Sequence, residues 1–166
     1  YIIEARFQVG HCYYLDSPDA RLDQAETRKA IDFYTQFVEL YPESPYAEQA
    51  YKEMGELYDK LAEKEYLSAK MYYNLGTYLG NNYLSAEIVA KNALKDYPTN
   101  KHQEDLNWLI LQAKYQQVVN SLADKQEERA RETEDEYYNF VTEYPNTKNI
   151  DAAKRIHKEE KKILNK

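Results

Sequence analysis

The apolar residues of this chain recur at intervals of three and four almost from one end to the other. Ile31, Tyr34, Phe37, Val38 and Tyr41 form one such series, which lies on a single face of an α-helix. Polar and charged residues fill the positions between them, as on the solvent side of an amphipathic helix. The pattern therefore predicts an all-α protein in which each helix buries one face.

Short turn signals divide this pattern into eight predicted helices. Pro follows Tyr at Tyr41-Pro42, Tyr97-Pro98 and Tyr144-Pro145, and Pro cannot continue a helix, although it suits a first turn. Gly80-Asn81-Asn82 supplies residues that tolerate the left-handed conformation. The predicted helices are 1–15, 24–41, 46–62, 65–79, 82–97, 101–122, 126–144 and 148–164.

Three sequence patterns recur and together predict a tetratricopeptide-like solenoid of helical hairpins. The first, Phe-Val-x-x-Tyr-Pro-x-Ser/Thr, occurs at residues 37–44 and 140–147, with a looser copy at 93–99. The second places a Gly three residues before a Tyr, and the third places an Ala four residues before a Tyr. These are the parts of the tetratricopeptide pattern.

The reason for such a pattern is steric. Small residues let two helices approach closely, a large ring fills the space beside them, and Pro ends each unit. The prolines that end units are 56 and 47 residues apart, more than the regular period of about 34, so some helices are expected to be long. The residues expected to pack the hairpins are Gly10, Tyr13, Ala30, Tyr34, Pro42, Gly55, Tyr58, Ala69, Tyr73, Ala86, Pro98 and Pro145.

Composition and charge exclude several classes of protein. The 166 residues include only 4 Gly and 5 Pro, too few for the many turns of a β-sandwich or barrel. The net charge of −7 argues against a nucleic-acid binder, because neutralising phosphates needs a basic face. A single cysteine excludes an internal disulfide framework and a site with several cysteine ligands.

Nothing in the sequence has the spacing of a catalytic or metal site, so we expect neither an enzyme nor a bound cofactor or metal. His11 and Cys12 are adjacent, which predicts a buried thiol beside a packing glycine, and His102 and His157 are isolated. The paired carboxylates of residues 127–136 are interpreted as a solvated helix face. The Lys-rich end, 154–166, is expected to be a solvated tail.

The most specific stretch is residues 61–73, with the sequence LAEKEYLSAKMYY. It resembles the BamD family of outer-membrane lipoproteins, whose members carry a similar Leu-Ala … Ala-x-Tyr-Tyr pattern at the equivalent place. The order of patterns upstream, from residue 30 to 50, and downstream, from 83 to 98, agrees with the C-terminal half of that family. The resemblance covers roughly residues 1–122, and residues 123–166 are expected to be an additional helical extension with a charged tail.

The resemblance implies a non-catalytic periplasmic scaffold of the machinery that assembles β-barrel proteins into the outer membrane. Its implied partners are the POTRA domains of the BamA-type barrel subunit and the other lipoproteins of that complex. In that family, recognition of unfolded outer-membrane proteins is associated with the N-terminal half of the protein. The chain starts at Tyr1 without an initiator Met or a signal peptide, so we expect the lipid anchor, and with it attachment to the outer membrane, to lie in a preceding segment.

Three residues are candidates for contact with a partner. Lys60 precedes the most family-like stretch, at a position that is commonly Arg in the family, and could pair with a partner carboxylate. Its other interpretation is a solvated lysine paired with Glu56 on the same helix. Tyr66 and Tyr72 lie at the edge of the packing pattern, so they are either exposed contacts, which tyrosine favours at interfaces, or part of the core.

Two alternatives to the assembly scaffold stay open. One is a tetratricopeptide adaptor of another envelope complex. The other is an outer-membrane lipoprotein that binds glycans, which would stack sugars on exposed Trp and Tyr rings. The only tryptophan, Trp108, lies on an apolar stripe and is expected to be buried.

Overall fold

A computed structural model describes residues 1–165, which contain seven α-helices and no strand. The prediction of an all-α fold of helical hairpins is confirmed. Each of the predicted turns that contains Tyr-Pro lies between two helices. The helices are α1 (Ile2–Asp16), α2 (Ala25–Leu40), α3 (Ala47–Leu75), α4 (Asn82–Asp96), α5 (Gln103–Val119), α6 (Ala123–Glu143) and α7 (Ile150–Leu164).

Helix α3 is one continuous helix where the sequence pattern predicted two. The predicted break at residues 63–64 is wrong, because Glu and Lys are good helix formers and no Gly or Pro interrupts them. The helix ends instead at Gly76, whose φ of +57° lies in the left-handed region. A Cβ on Gly76 would lie 2.9 Å from the hydroxyl oxygen of Tyr83, so only glycine fits this end.

The chain divides into two compact units, the first formed by residues 1–64 with 99–101 and the second by residues 65–98 with the chain from His102 onward. In the first unit α1 packs against α2. The ring of Phe7 lies within 6 Å of the Tyr34, Phe37 and Tyr46 rings, centroid to centroid. The sequence boundary expected near residue 122 stays a prediction.

In the second unit, helices that follow one another in the sequence pack against each other. Helix α4 packs against α5, α5 against α6, and α6 against α7, and α5 also contacts α7. Contacts to the next helix and to the next but one are those of stacked helical hairpins. Two buried clusters hold this unit together. They are Ala69, Ala90, Ala93, Leu106, Leu109 and Ile110, and Leu111, Tyr137, Phe140 and Ala153.

The repeated Tyr-Pro sequence has a repeated conformation. Tyr41, Tyr97 and Tyr144 follow α2, α4 and α6 with φ of −135°, −128° and −121°, and each N–H bonds to the carbonyl four residues earlier. The hydroxyls of Ser44 and Thr147 then each accept the N–H two residues further on, at 3.2 and 3.1 Å. The motif therefore ends one helix and begins the next in the same way.

One spacing recurs among the long-range side-chain hydrogen bonds. Several of them join residues 42 or 43 positions apart, in the first unit and in the second, although other bonds, such as Tyr34 with Glu53, join residues that are closer in sequence. This spacing is longer than the regular tetratricopeptide period of about 34, as the wide proline spacing predicted. Examples are His11 with Glu53, Ser17 with Lys60, and Glu104 with Thr147.

Candidate functional site

Several of the expected packing residues lie between helices. Gly10 on α1 is buried, and a Cβ there would lie 2.7 Å from two ring carbons of Tyr34 on α2. Ala30, Ala69 and Ala86 are fully buried, as is Tyr34. These positions have the close approach that small residues permit.

Other expected packing residues lie elsewhere. Gly55 is exposed and a Cβ on it would meet nothing within 4 Å, and Tyr58 is 37% exposed. The prediction for this pair is wrong because the buried face of α3 follows Ala50, Glu53 and Leu57, a series that excludes positions 55 and 58. Tyr13 and Tyr73 are partly buried, and Pro42, Pro98 and Pro145 are exposed in their turns.

The first unit contains a buried carboxylate that the sequence analysis did not find. Glu53 on α3 accepts hydrogen bonds from the Tyr34 hydroxyl, from His11 Nδ1 at 2.9 Å and from Gln49 Nε2 at 2.7 Å. Burial alone would raise the pKa of Glu53, but these hydrogen bonds hold it below its ordinary value. With three donors already bound, the carboxylate ties α1, α2 and α3 together in a structural role.

Lys60 has a partner inside the chain that neither interpretation of the sequence foresaw. Its ammonium donates to Ser17 Oγ at 2.7 Å and to the Ser17 carbonyl at 3.1 Å, which anchors the connection between α1 and α2. Burial lowers the pKa of Lys60. Glu56, the expected helical partner, instead accepts a hydrogen bond from Tyr14 at 2.5 Å. A docking role for Lys60 stays a prediction, in which the third N–H of its ammonium would bind the partner.

The two candidate tyrosines are both partly exposed. Tyr66 packs against the first buried cluster of the second unit, and its ring stacks on His102 with centroids 5.8 Å apart. The Lys70 ammonium lies 5.9 Å from the same ring. Tyr72 lies in the last turn of α3 and is half-buried. Each therefore offers part of its ring to solvent, and their role in partner binding stays a prediction.

The connection between α3 and α4 carries an exposed apolar surface. In a chain with 31% charged residues, none of the residues from 71 to 86 is charged. Leu79 is 91% exposed and has a φ of +54°, a conformation that costs a residue with a side chain about 1 kcal/mol. We name this surface the α3–α4 tip. It comprises Met71, Leu75, Tyr78, Leu79, Leu84 and Ile88, all exposed.

Cys12 is exposed rather than buried as expected, because it lies on the solvent side of α1 while Gly10 faces α2. Within residues 1–165, no group of three or more His, Cys, Asp or Glu side chains is placed to hold a metal ion. In the same part of the chain, no helix combines the length and the apolarity needed to cross a membrane.

The fold defines an all-α helical-hairpin protein, and the α3–α4 tip is an exposed apolar surface on it. In comparison with known families, residues 4–80 match the sequence model of the YfiO family, described as outer membrane lipoprotein. The match includes most of α1, all of α2 and α3, and the turn up to Gly80, and α4–α7 lie outside it. Over this stretch the chain is similar to outer membrane lipoproteins of the BamD type. No curated protein matched the chain.

Proposed function

We propose that the protein is a non-catalytic scaffold subunit of the outer-membrane β-barrel assembly machinery, on the periplasmic face of the outer membrane. In this proposal it docks on the POTRA domains of a BamA-type subunit. The match to outer membrane lipoproteins over residues 4–80 supports the class of machinery. The observation that carries the docking role is the α3–α4 tip, which begins within the matched stretch.

The composition of the tip is that of an interface centre. Protein interfaces are depleted in charged residues at their core and enriched in Tyr and Met. The tip is free of charge and includes Tyr78 and Met71, while the chain as a whole carries a net charge of −7. Large apolar side chains that are exposed together around one connection are a candidate site of contact.

The backbone of Leu79 supports the same conclusion. Gly or Asn would adopt a φ of +54° at lower cost, yet the position carries a large apolar side chain that is 91% exposed. Folding gains little from this side chain, because it packs against almost nothing in the chain. A contact with a partner would explain both the strained backbone of Leu79 and the exposure of its side chain.

A single charge at the tip tests the proposal. Leu79→Asp should weaken binding to the purified POTRA domains about tenfold or more, because it places a carboxylate in a desolvated contact. Far-UV circular dichroism and the melting temperature should stay unchanged, since the side chain is exposed. Affinity is measured by isothermal titration or biolayer interferometry.

The matched control is Asn139→Asp, which adds the same charge at an exposed position of α6. It should bind as the unmodified protein does. Equal affinity of Leu79→Asp and the unmodified protein would contradict docking through the tip. Equal loss in both variants would show a general charge effect and would also contradict it. The adaptor alternative would be favoured if the unmodified protein did not bind POTRA domains but bound a different envelope protein, and Leu79→Asp weakened that binding.

A further inference from the structure

A groove runs along one side of the second unit, between the end of α3, helix α5 and the start of α7. Two neighbouring depressions form it, and they share Tyr73, Trp108 and Gln112 in their walls. The first extends towards Tyr66 and the second towards Tyr115. The shared wall makes the two depressions one continuous, open groove.

The floor of the groove is aromatic and rigid. Tyr66 and Tyr73 pack against one buried cluster of the unit, and Trp108 packs against the other, with its ring 5.5 Å from the Phe140 ring, centroid to centroid. Each ring therefore packs partly against the core, while the residue remains partly exposed. This differs from the expected burial of Trp108, because its stripe on α5 borders the groove. Fixed rings with an open face are suitable surfaces for apolar side chains.

Two amide side chains in the groove are available to a ligand. Asn74 and Gln112 line it, and neither makes a hydrogen bond within residues 1–165. Each amide carries both donors and an acceptor. This combination matches the alternating N–H and C=O groups of an extended peptide backbone.

The charged residues that line the groove are mainly positive, whereas the net charge of the protein is negative. Lys70, Lys148 and Arg155 line it, and none of them forms an ion pair with a carboxylate in the described part of the chain. Asp105 is the one acidic residue among the described lining residues. The groove thus has an excess of positive charge in a chain whose net charge is −7.

We infer that this groove binds an extended, acidic peptide segment of a partner protein. Apolar side chains of the segment lie on the rings of Tyr73 and Trp108, its carboxylates meet Lys148 and Arg155, and its backbone bonds to Gln112. A neutral oligosaccharide would also stack on the rings, but it would leave the cations without a counter-charge, so the charges favour the peptide. The groove shares no residue with the α3–α4 tip, so the inference does not depend on docking through the tip.

The single tryptophan makes the groove directly observable. Trp108 is the only Trp of the chain and lies in the groove wall. A peptide of alternating Glu and Phe should change the intrinsic fluorescence of the protein in a saturable manner, and added salt should weaken the binding, because exposed ion pairs are screened. The comparison peptides alternate Gln with Phe and Lys with Phe, and a neutral oligosaccharide is titrated separately.

Charge reversal locates the binding. The double variant Lys148→Glu/Arg155→Glu should weaken binding of the Glu/Phe peptide about tenfold, while Lys154→Glu, an exposed residue of α7 outside the groove wall, should leave it unchanged. Circular dichroism establishes that each variant folds. Three results would overturn the inference. They are no saturable change with the Glu/Phe peptide, equal affinity for the Gln/Phe peptide or the oligosaccharide, and equal weakening by Lys154→Glu.

Discussion

Replacing Glu160 with Gln is expected to raise the free energy of unfolding by about 2–3 kcal/mol at pH 7, and to leave it nearly unchanged near pH 4. Glu160 on α7 is fully buried, and neither of its carboxylate oxygens has a hydrogen-bond partner among residues 1–165. Burial, with a smaller contribution from the charge of Glu134 on α6, raises the pKa of Glu160 to about 8. The native protein therefore holds this carboxyl neutral at pH 7.

The direction of the effect follows from the protons that each state binds. Between pH 4.5, the ordinary pKa of a glutamate, and pH 8, the folded state keeps Glu160 protonated while the unfolded chain has it ionised. The folded state binds more protons, so the stability of the protein falls as pH rises through this window. Gln has no proton to lose, and the variant should lack this part of the pH dependence.

Urea unfolding at a series of pH values between about 4 and 9 measures this difference. Glu159→Gln changes the exposed neighbour and should alter stability by no more than about 0.5 kcal/mol. Besides Glu134, Tyr115 on α5 titrates nearby, and its pKa is raised by burial and by the charges of Glu159 and Glu160. If the free energies of unfolding of Glu160→Gln and the unmodified protein change with pH in parallel over the whole range, the claim that Glu160 is buried and neutral is contradicted.

Two glycines that the sequence pattern treats alike are expected to respond to alanine in opposite directions. Gly10→Ala should lower the free energy of unfolding by about 1–3 kcal/mol, whereas Gly55→Ala should raise it by about 0.5–1 kcal/mol. The new Cβ at position 10 would lie 2.7 Å from the Tyr34 ring. The Tyr34 ring has little room to move away from the new Cβ, because it is fully buried and its hydroxyl is bonded to Glu53. At position 55 the space is open, so alanine adds only helix propensity.

The pair is matched, because both glycines lie inside helices of the same unit and receive the same methyl group. Chemical denaturation of the two variants and the unmodified protein gives both differences. Equal and small effects at positions 10 and 55 would mean that α1 and α2 do not approach as closely as the structure shows. The folded state of each variant is checked by far-UV circular dichroism.

The sequence was sufficient for features that depend on neighbouring residues. Apolar periodicity predicted the helices, and the Tyr-Pro motifs predicted where α2, α4 and α6 end, since Pro prevents continuation whatever surrounds it. Residues 63–64 were interpreted as a break although they contain neither Gly nor Pro. Their helix propensity, with no Gly or Pro present, was the better signal and gives the continuous α3.

Features that depend on distant residues could not be predicted in the same way. Glu53 lies on the buried face of α3, and its partners Tyr34 and His11 are 19 and 42 residues away. The lysines of α7 are exposed, in keeping with the solvated end that was expected, but the same helix packs on α5 and α6 and buries Glu160. A charged residue such as Glu160 becomes recognisable as buried only once the adjoining helices are known.

The candidate site also combines features that were predictable from neighbouring residues with features that depend on distant ones. The sequence pointed to residues 61–73 and to two tyrosines within them, but its individual choice of Lys60 overlooked the bond to Ser17, 43 residues away. The α3–α4 tip did have a visible signal, because a run without charge from 71 to 86 is conspicuous in this chain. Exposure of that run could not be read from the sequence, since an uncharged apolar stretch is buried more often than not.

Site-specific photo-crosslinking at the α3–α4 tip tests docking most directly. A photoreactive amino acid replaces Leu79 in one sample and Asn139 in another, the native membrane fraction is irradiated, and the adducts are identified by mass spectrometry. The account predicts that position 79 crosslinks to the POTRA domains of the barrel-assembly subunit and that position 139 does not. An absence of POTRA adducts at position 79, with the protein present and folded in the membrane fraction, would contradict it.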